Sequence, residues 1–333
     1  LNFEVSDEQE ALLGAVVRFL SERMPVSRLR RSGADGPENC WREIAELGLF
    51  ALTATTEEGG MGLSLVDEAL LFREFGRYLV TPCVLATVIG RRVAMQLGQG
   101  EVASRMMSGD CQVAFAFENL QPAGGDDRRI LLLDAQGADQ ILLVSQGHFK
   151  LVQRSLLNAT TYPDSLDESI PIQEAHFDSS VAGISAPETS LAFASLAGAM
   201  LVGIAEAALG AAVGYAKERQ QFGAPIGSFQ AIKHLCADNA VLADAAWSQT
   251  LWSAIACQEK AADSPLHTAA AILLSDDAAR HASQDNIQIH GGMGFTAECD
   301  AHRYAKRRHV LSRIARHSID AHSLITASAT TET

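Results

Sequence analysis

The chain has 333 residues, 47% of them hydrophobic, which is enough to bury a substantial core in more than one domain. A formal net charge of -14 and a pI near 5.1 argue against nucleic acid or an anionic membrane as the main partner. A phosphate-bearing ligand is still admissible, because it needs only local positive charge.

The first residues, LNFEVSDEQE, are acidic and lack the basic start of a signal peptide, so a cytoplasmic location is expected. Ser6-Asp7-Glu8-Gln9 fits a capping box, and Leu12, Leu13, Val16, Val17 and Leu20 then recur at helical spacing. A polar stretch from Ser32 to Glu38 breaks the pattern before a short helix from Trp41 to Leu49, stopped by Gly48. Gly59, Gly60 and Gly62 suit either a phosphate loop or a tight turn, and the acidic pair Glu57-Glu58 favours the turn. Helices continue to Met107, so residues 1–110 read as an N-terminal helical domain.

Residues 111–186 have another texture. Val113–Phe117, Ile130–Leu133, Gln140–Val144 and Phe149–Val152 are short, β-rich runs separated by Gly, Asp and Asn, the signature of a small β domain. Pro187 and Glu188 open a third region, 187–333, with long helical segments at Glu188–Glu218, Phe229–Ala262, Leu266–Ile289 and Asp300–Ile325. Short connections make this a four-helix bundle, and the tail from Thr326 reads as frayed. Thr189 to Ala205 carries no charge, but it is short for a membrane span and ends at Glu206, so a buried bundle helix is expected. The fold class is α+β, mainly α. Cys40, Cys83, Cys111, Cys236, Cys257 and Cys299 contain no CxxC pair, which fits a reducing compartment and no structural zinc.

The most informative stretch is Arg219 to His234, RQQFGAPIGSFQAIKH. Pro225 blocks helix continuation, and Gly223 and Gly227 tolerate unusual backbone angles, so a loop joins two helices. An arginine at the tip of a helical hairpin suits a bidentate phosphate contact; capping a helix or forming a salt bridge is the plainer alternative.

The pattern Arg-x-x-Phe-Gly-x-Pro-Ile-x-x-Phe-Gln resembles the hallmark loop of the acyl-CoA dehydrogenase family, and Gln288-Ile-His-Gly-Gly-Met-Gly-Phe295 resembles its second hallmark. The run from Leu47 through Glu58-Gly-Gly-x-Gly62 to Arg77 is similar to that family's N-terminal helical domain. Ala138–Val144 and Ala175–Asp178 match its β domain. The resemblance implies an acyl-CoA dehydrogenase-like fold with FAD as cofactor. It assigns to Arg219, Phe222 and Gln230 the pyrophosphate and adenosine of a neighbouring subunit's FAD. It places Gln288, Ile289, His290, Gly291 and Gly292 close to the same dinucleotide. Departures are visible too: the Thr-Glu-Pro segment that lines the flavin reads Phe117-Glu-Asn-Leu-Gln-Pro122, and its Gly-rich continuation is reduced to Ala123–Asp127. Ala138-Asp139 arrives too soon for the strand with the family's Trp and Ser/Thr contacts, so the β domain reads as truncated.

The family reaction is α,β-desaturation of an acyl-CoA thioester by a carboxylate base in a dry pocket. At the two positions where the resemblance puts that base, this chain shows Ala315 and Phe193, neither of which takes a proton. Glu188 (helix terminus), Glu206 (interhelical contact) and Glu298 (structural position) have plainer roles, so no catalytic base is assigned. His302, His309, His317 and His322 lack a partnering set of carboxylates or cysteines, so no metal site is expected. Arg303, Lys306, Arg307, Arg308, Arg313 and Arg316 read as a solvated or subunit-contacting face, with a CoA phosphate contact as the sharper alternative.

The resemblance therefore implies one subunit of a hetero-oligomer, similar to bacterial enzymes that desaturate steroid side-chain CoA thioesters. A second acyl-CoA dehydrogenase-like chain would bring the glutamate, and an electron-transfer flavoprotein would accept the electrons. A self-sufficient homomer with an unrecognised base and a flavin-free scaffold are the alternatives. Retention of Arg219, Gln230 and Gln288 together speaks against the scaffold.

Overall fold

The computed structural model describes residues 6–30, 38–118, 129–145, 147–162, 165–177 and 181–331. At its start, the Ser6 hydroxyl accepts from the Gln9 amide (3.3 Å) and the Gln9 side chain accepts from the Ser6 amide (2.9 Å), opening α1 (Asp7–Arg23) with the expected reciprocal cap. Then α2 (Glu38–Glu46) buries Trp41 and Ile44. The glycines at 59–62 do serve a turn: a side chain at Gly60 would stand 2.3 Å from the Ala54 carbonyl oxygen. A second box, Ser64 with Asp67, starts α3 (Leu65–Arg77), and α4 (Cys83–Gln96) and α5 (Gly100–Met107) follow.

The middle region folds into β1 (Val113–Glu118), β2 (Arg129–Leu133), β3 (Gln140–Ser145), β4 (His148–Gln153), β5 (Ala159–Thr161), β6 (Ile172–His176) and β7 (Ile184–Ser185). They form one sheet in the order β5-β6-β2-β1-β3-β4-β7, with β1 central, antiparallel to β2 and parallel to β3. Phe115 and Phe117 project from the same face of β1, two residues apart. The departures expected at 119–127 lie outside the described residues.

The third region holds α6 (Pro187–Glu218), α7 (Gln230–Gln258), α8 (Ser264–His290), α9 (Ala301–Ser318) and α10 (Ala321–Thr331). By length and hydropathy α6 could cross a membrane, but 67% of its apolar window is buried inside the protein. Its Ala- and Gly-rich surface lets α3 approach at backbone contact. A side chain at Gly203 would lie 1.9 Å from the Arg73 carbonyl oxygen, and one at Gly76 would lie 2.0 Å from that of Met200. One turn beyond, Glu206 accepts from both Arg73 and Arg77 (Arg77 Nη2 at 2.6 Å), the interhelical role expected for it.

Two expectations are corrected. The fourth bundle segment is two helices, because Ile319 is extended and the Asp320 carboxylate accepts from the Ser323 amide (3.1 Å) and hydroxyl (2.6 Å), starting α10. The basic stretch of α9 is not uniformly a solvated face. Arg307 is 1% exposed and donates to Asp167 (2.7 Å), to the Leu79 and Val80 carbonyls (2.6 and 2.7 Å) and to the Ser169 hydroxyl (2.8 Å). Leu79, at φ 50°, turns the chain between α3 and α4, and its carbonyl also receives Arg28 (3.1 Å). Burial pushes the Asp167 carboxyl up, but the Arg307 charge and the Ser169 hydrogen bonds outweigh it and hold it below the usual aspartate range. Arg308 is buried as well, paired with Asp276 at 2.5 Å.

Candidate cofactor-contacting site

Arg219 is the residue on which α6 ends. Its amide closes the last turn on the Tyr215 carbonyl (2.9 Å), and its backbone then becomes extended. Gln220–Gln221 pairs with Ala224–Pro225 in a small antiparallel hairpin whose tip is Phe222 and Gly223, both at positive φ (52° and 80°). A 3₁₀ turn, Ile226–Ser228, leads into α7, whose first residue is Gln230. Gly227 keeps an ordinary φ; it is required for close approach, since a side chain there would meet the Ala216 carbonyl oxygen at 3.0 Å.

The side chains of this hairpin are presented outward. Among the described residues the exposed Arg219 guanidinium has no hydrogen bond or ion pair, so neither capping nor salt bridging employs it. Phe222 is 95% exposed and meets Phe229 edge-on, with ring centroids 6.1 Å apart. Leaving a phenylalanine in water forgoes about 2 kcal/mol, and a left-handed backbone costs a bulky residue ~1–2 kcal/mol more. Among the described residues only the edge contact with Phe229 stands against these costs, an arrangement that suits a contact made outside this chain.

The second run lies at the same end of the bundle. Gln288 is exposed in the last turn of α8, which Gly291 ends at φ 60°, and Gly292 follows, exposed, in a 3₁₀ turn. Ile289 is 6% exposed and packs with Ala212 and Ala216 of α6 and with Ile226 and Ile232, which fastens the run to the Arg219 hairpin. The His290 ring stacks on Tyr215 (4.2 Å), and its Nδ1 donates to the Asn286 carbonyl (2.8 Å). The side chains of Ile289 and His290 are thus anchors, while Arg219, Phe222, Gln230 and Gln288 are exposed, and among the described residues the side-chain polar groups of Arg219, Gln230 and Gln288 have no partner. Beside them Tyr215, His290, Met293, Cys299 and Tyr304 line a cleft of about 370 Å³.

At the two positions considered for a base, Phe193 and Ala315 are fully buried in the main core. Glu188 is exposed and pairs with Lys260 (2.9 Å), and Glu298 is exposed in the loop before α9. One residue was missed by sequence reasoning. His317 leaves the company of the other α9 histidines and stacks on Phe117 at 4.4 Å. Burial, helped by Arg313 and opposed by Glu118, pushes its imidazole below the usual histidine range. The two residues are far apart in sequence, and no local pattern links them.

Comparison with known proteins places this architecture. Residues 6–109 match the family model for the N-terminal domain of acyl-CoA dehydrogenases, and residues 182–324 match that for the C-terminal domain. The chain belongs to the acyl-CoA dehydrogenase family. It is 32% identical to acyl-CoA dehydrogenase FadE34 of Mycobacterium tuberculosis over 83% of this chain, but spans only 40% of that relative's length. It is 29% identical to acyl-CoA dehydrogenase IpdE2 of the same organism over 91% of both chains. The crystal structure of the ChsE4-ChsE5 complex from Mycobacterium tuberculosis shares the fold, with a TM-score of 0.83 at 17% identity over 99% of each chain.

FAD is the cofactor of this family. The outward set fits such a dinucleotide: a free guanidinium fork suits a pyrophosphate, two unpaired amides suit a nucleoside edge, and an exposed aromatic ring suits its faces.

Proposed function

We propose that this chain is one subunit of a hetero-oligomeric, FAD-dependent acyl-CoA dehydrogenase that desaturates an acyl-CoA thioester between its α and β carbons. FAD, when bound, accepts the hydride from the β carbon. Arg219 would neutralise the pyrophosphate of the partner's flavin, Phe222 would cover an apolar face of the dinucleotide, and Gln230 and Gln288 would hydrogen-bond its polar edges. The anchors Ile289 and His290, with Gly291 and Gly292, hold the second run against the first. On this reading residues 1–110, 111–186 and 187–333 are the three domains, the partner chain supplies the carboxylate base, and an electron-transfer flavoprotein takes the electrons.

The observation that carries the reading is a contrast. The chain leaves Arg219, Phe222, Gln230 and Gln288 on its outside with no side-chain hydrogen bond or ion pair among the described residues, and carries the buried Phe193 and Ala315 at the two positions where the resemblance puts a proton acceptor. Family membership supports the reaction class, and the two-protein complex among the structures of this fold supports the hetero-oligomer.

The test is colour and turnover. Produced alone, the chain is expected to carry little flavin absorbance and no desaturase activity; co-produced with a family member bearing the glutamate, it should be yellow and active. Stoichiometric FAD with desaturation by the isolated chain would sink the proposal in favour of a homomer.

A further inference from the structure

The sheet and the bundle meet through four rings in sequence. Phe193 of α6, 0% exposed, stacks on Phe115 of β1 with centroids 5.2 Å apart and planes 16° from parallel. Phe115 lies 5.9 Å from Phe117 on the same face of the strand, and Phe117, 4% exposed, stacks on His317 of α9 at 4.4 Å. A ring inserted between two others needs them roughly 7 Å apart, so each gap in this column is already closed. Two of its members come from the bundle and two from the strand. The joint is therefore made by the chain's own side chains.

We propose that this column takes the place of a ring ligand between β1 and the bundle, so that this chain holds neither a flavin ring nor an acyl chain at that joint. The inference deepens the function proposed above and rests on it, since it says where in the pair the cofactor is not. It also gives Phe193 a positive role: a stopper, rather than merely a lost acid. His317 closes the open end of the column, half-buried, with its ring face committed to Phe117.

The test uses the co-produced complex. Flavin is counted per pair of chains after denaturation, and the complex is then titrated with lumiflavin, which carries the ring without the phosphates. The expected result is one FAD per pair and no saturable lumiflavin binding. His317→Ala, at the half-buried end, and Phe117→Ala should each open a site and raise lumiflavin affinity at least tenfold; if Phe117→Ala does not fold, His317→Ala alone decides. Two FAD per wild-type pair, lumiflavin saturating the wild type, or no gain in a folded variant would overturn the proposal. So would desaturation by the chain alone that His317→Gln abolishes, because the imidazole would then be a working base. A count of one FAD combined with unchanged retention in Arg219→Ala would leave the column standing and remove the proposed donation in trans.

Discussion

Two arginines of this chain live under opposite conditions. Arg307 is buried, and its guanidinium donates four hydrogen bonds, to one carboxylate, two carbonyls and a hydroxyl drawn from the α3–α4 turn and the segment between β5 and β6. Arg219 is exposed, and among the described residues its guanidinium meets nothing. Removing a guanidinium that holds several partners in the interior tells about the fold, because it leaves several buried polar groups unpaired at once. Removing an unsatisfied one from the surface should leave the fold intact and disturb only whatever it was set out to meet.

The largest expected effect follows from the first half of that contrast. Arg307→Met should destabilise the chain by about 3–5 kcal/mol, the usual cost of stripping one partner from a buried pair. Denaturant unfolding measures it, and a loss below about 1 kcal/mol would mean that the tie between α9 and the Leu79–Val80 turn is not structural. Arg219→Ala should change unfolding by no more than about 0.5 kcal/mol under the same conditions.

A smaller effect is tied to pH. The Asp167 carboxyl is held below its ordinary value, so its contribution is present above the unfolded aspartate pKa and is lost as pH falls through the depressed folded value. The stability gap between wild type and Arg307→Met should therefore narrow as pH falls through the carboxylate range, because Asp167 left buried without Arg307 takes up its proton at higher pH than the paired one does. A gap independent of pH down to full acid unfolding would remove Asp167 from the account.

A modest effect is expected at the hairpin tip. Phe222→Asn, which tolerates the left-handed backbone better and exposes less apolar surface, should stabilise the isolated chain by roughly 0.5–1 kcal/mol in thermal unfolding while weakening flavin retention in the complex. A loss of stability would show that Phe222 is held by contacts of this chain.

What could be read from the sequence follows the range of the interactions. The Ser6 box and the strands at 113–118, 129–133, 140–145 and 148–153 are local, encoded by residues a few positions apart, and were legible. The polar edge strand Ala159–Thr161 carries no apolar run and left no comparable signal. The Arg219 loop was legible because its hairpin, left-handed tip and helix start lie within a dozen residues. Arg307 with Asp167, Gly76 beside Met200 and His317 over Phe117 join residues more than a hundred positions apart, and nothing in either local stretch announces the other. The break before α10 was missed: Asp320 is a common helix-start residue, but no Glu or Gln follows it three positions on to strengthen the signal.

The most direct measurement is the dissociation constant of FAD from the co-produced complex with Arg219→Ala introduced in this chain alone. Losing a charge-assisted contact worth about 1.5–3 kcal/mol should weaken flavin binding roughly 10- to 150-fold, with the melting temperature of the flavin-free complex unchanged. An FAD affinity equal to wild type would mean that this guanidinium meets no dinucleotide in the neighbouring chain.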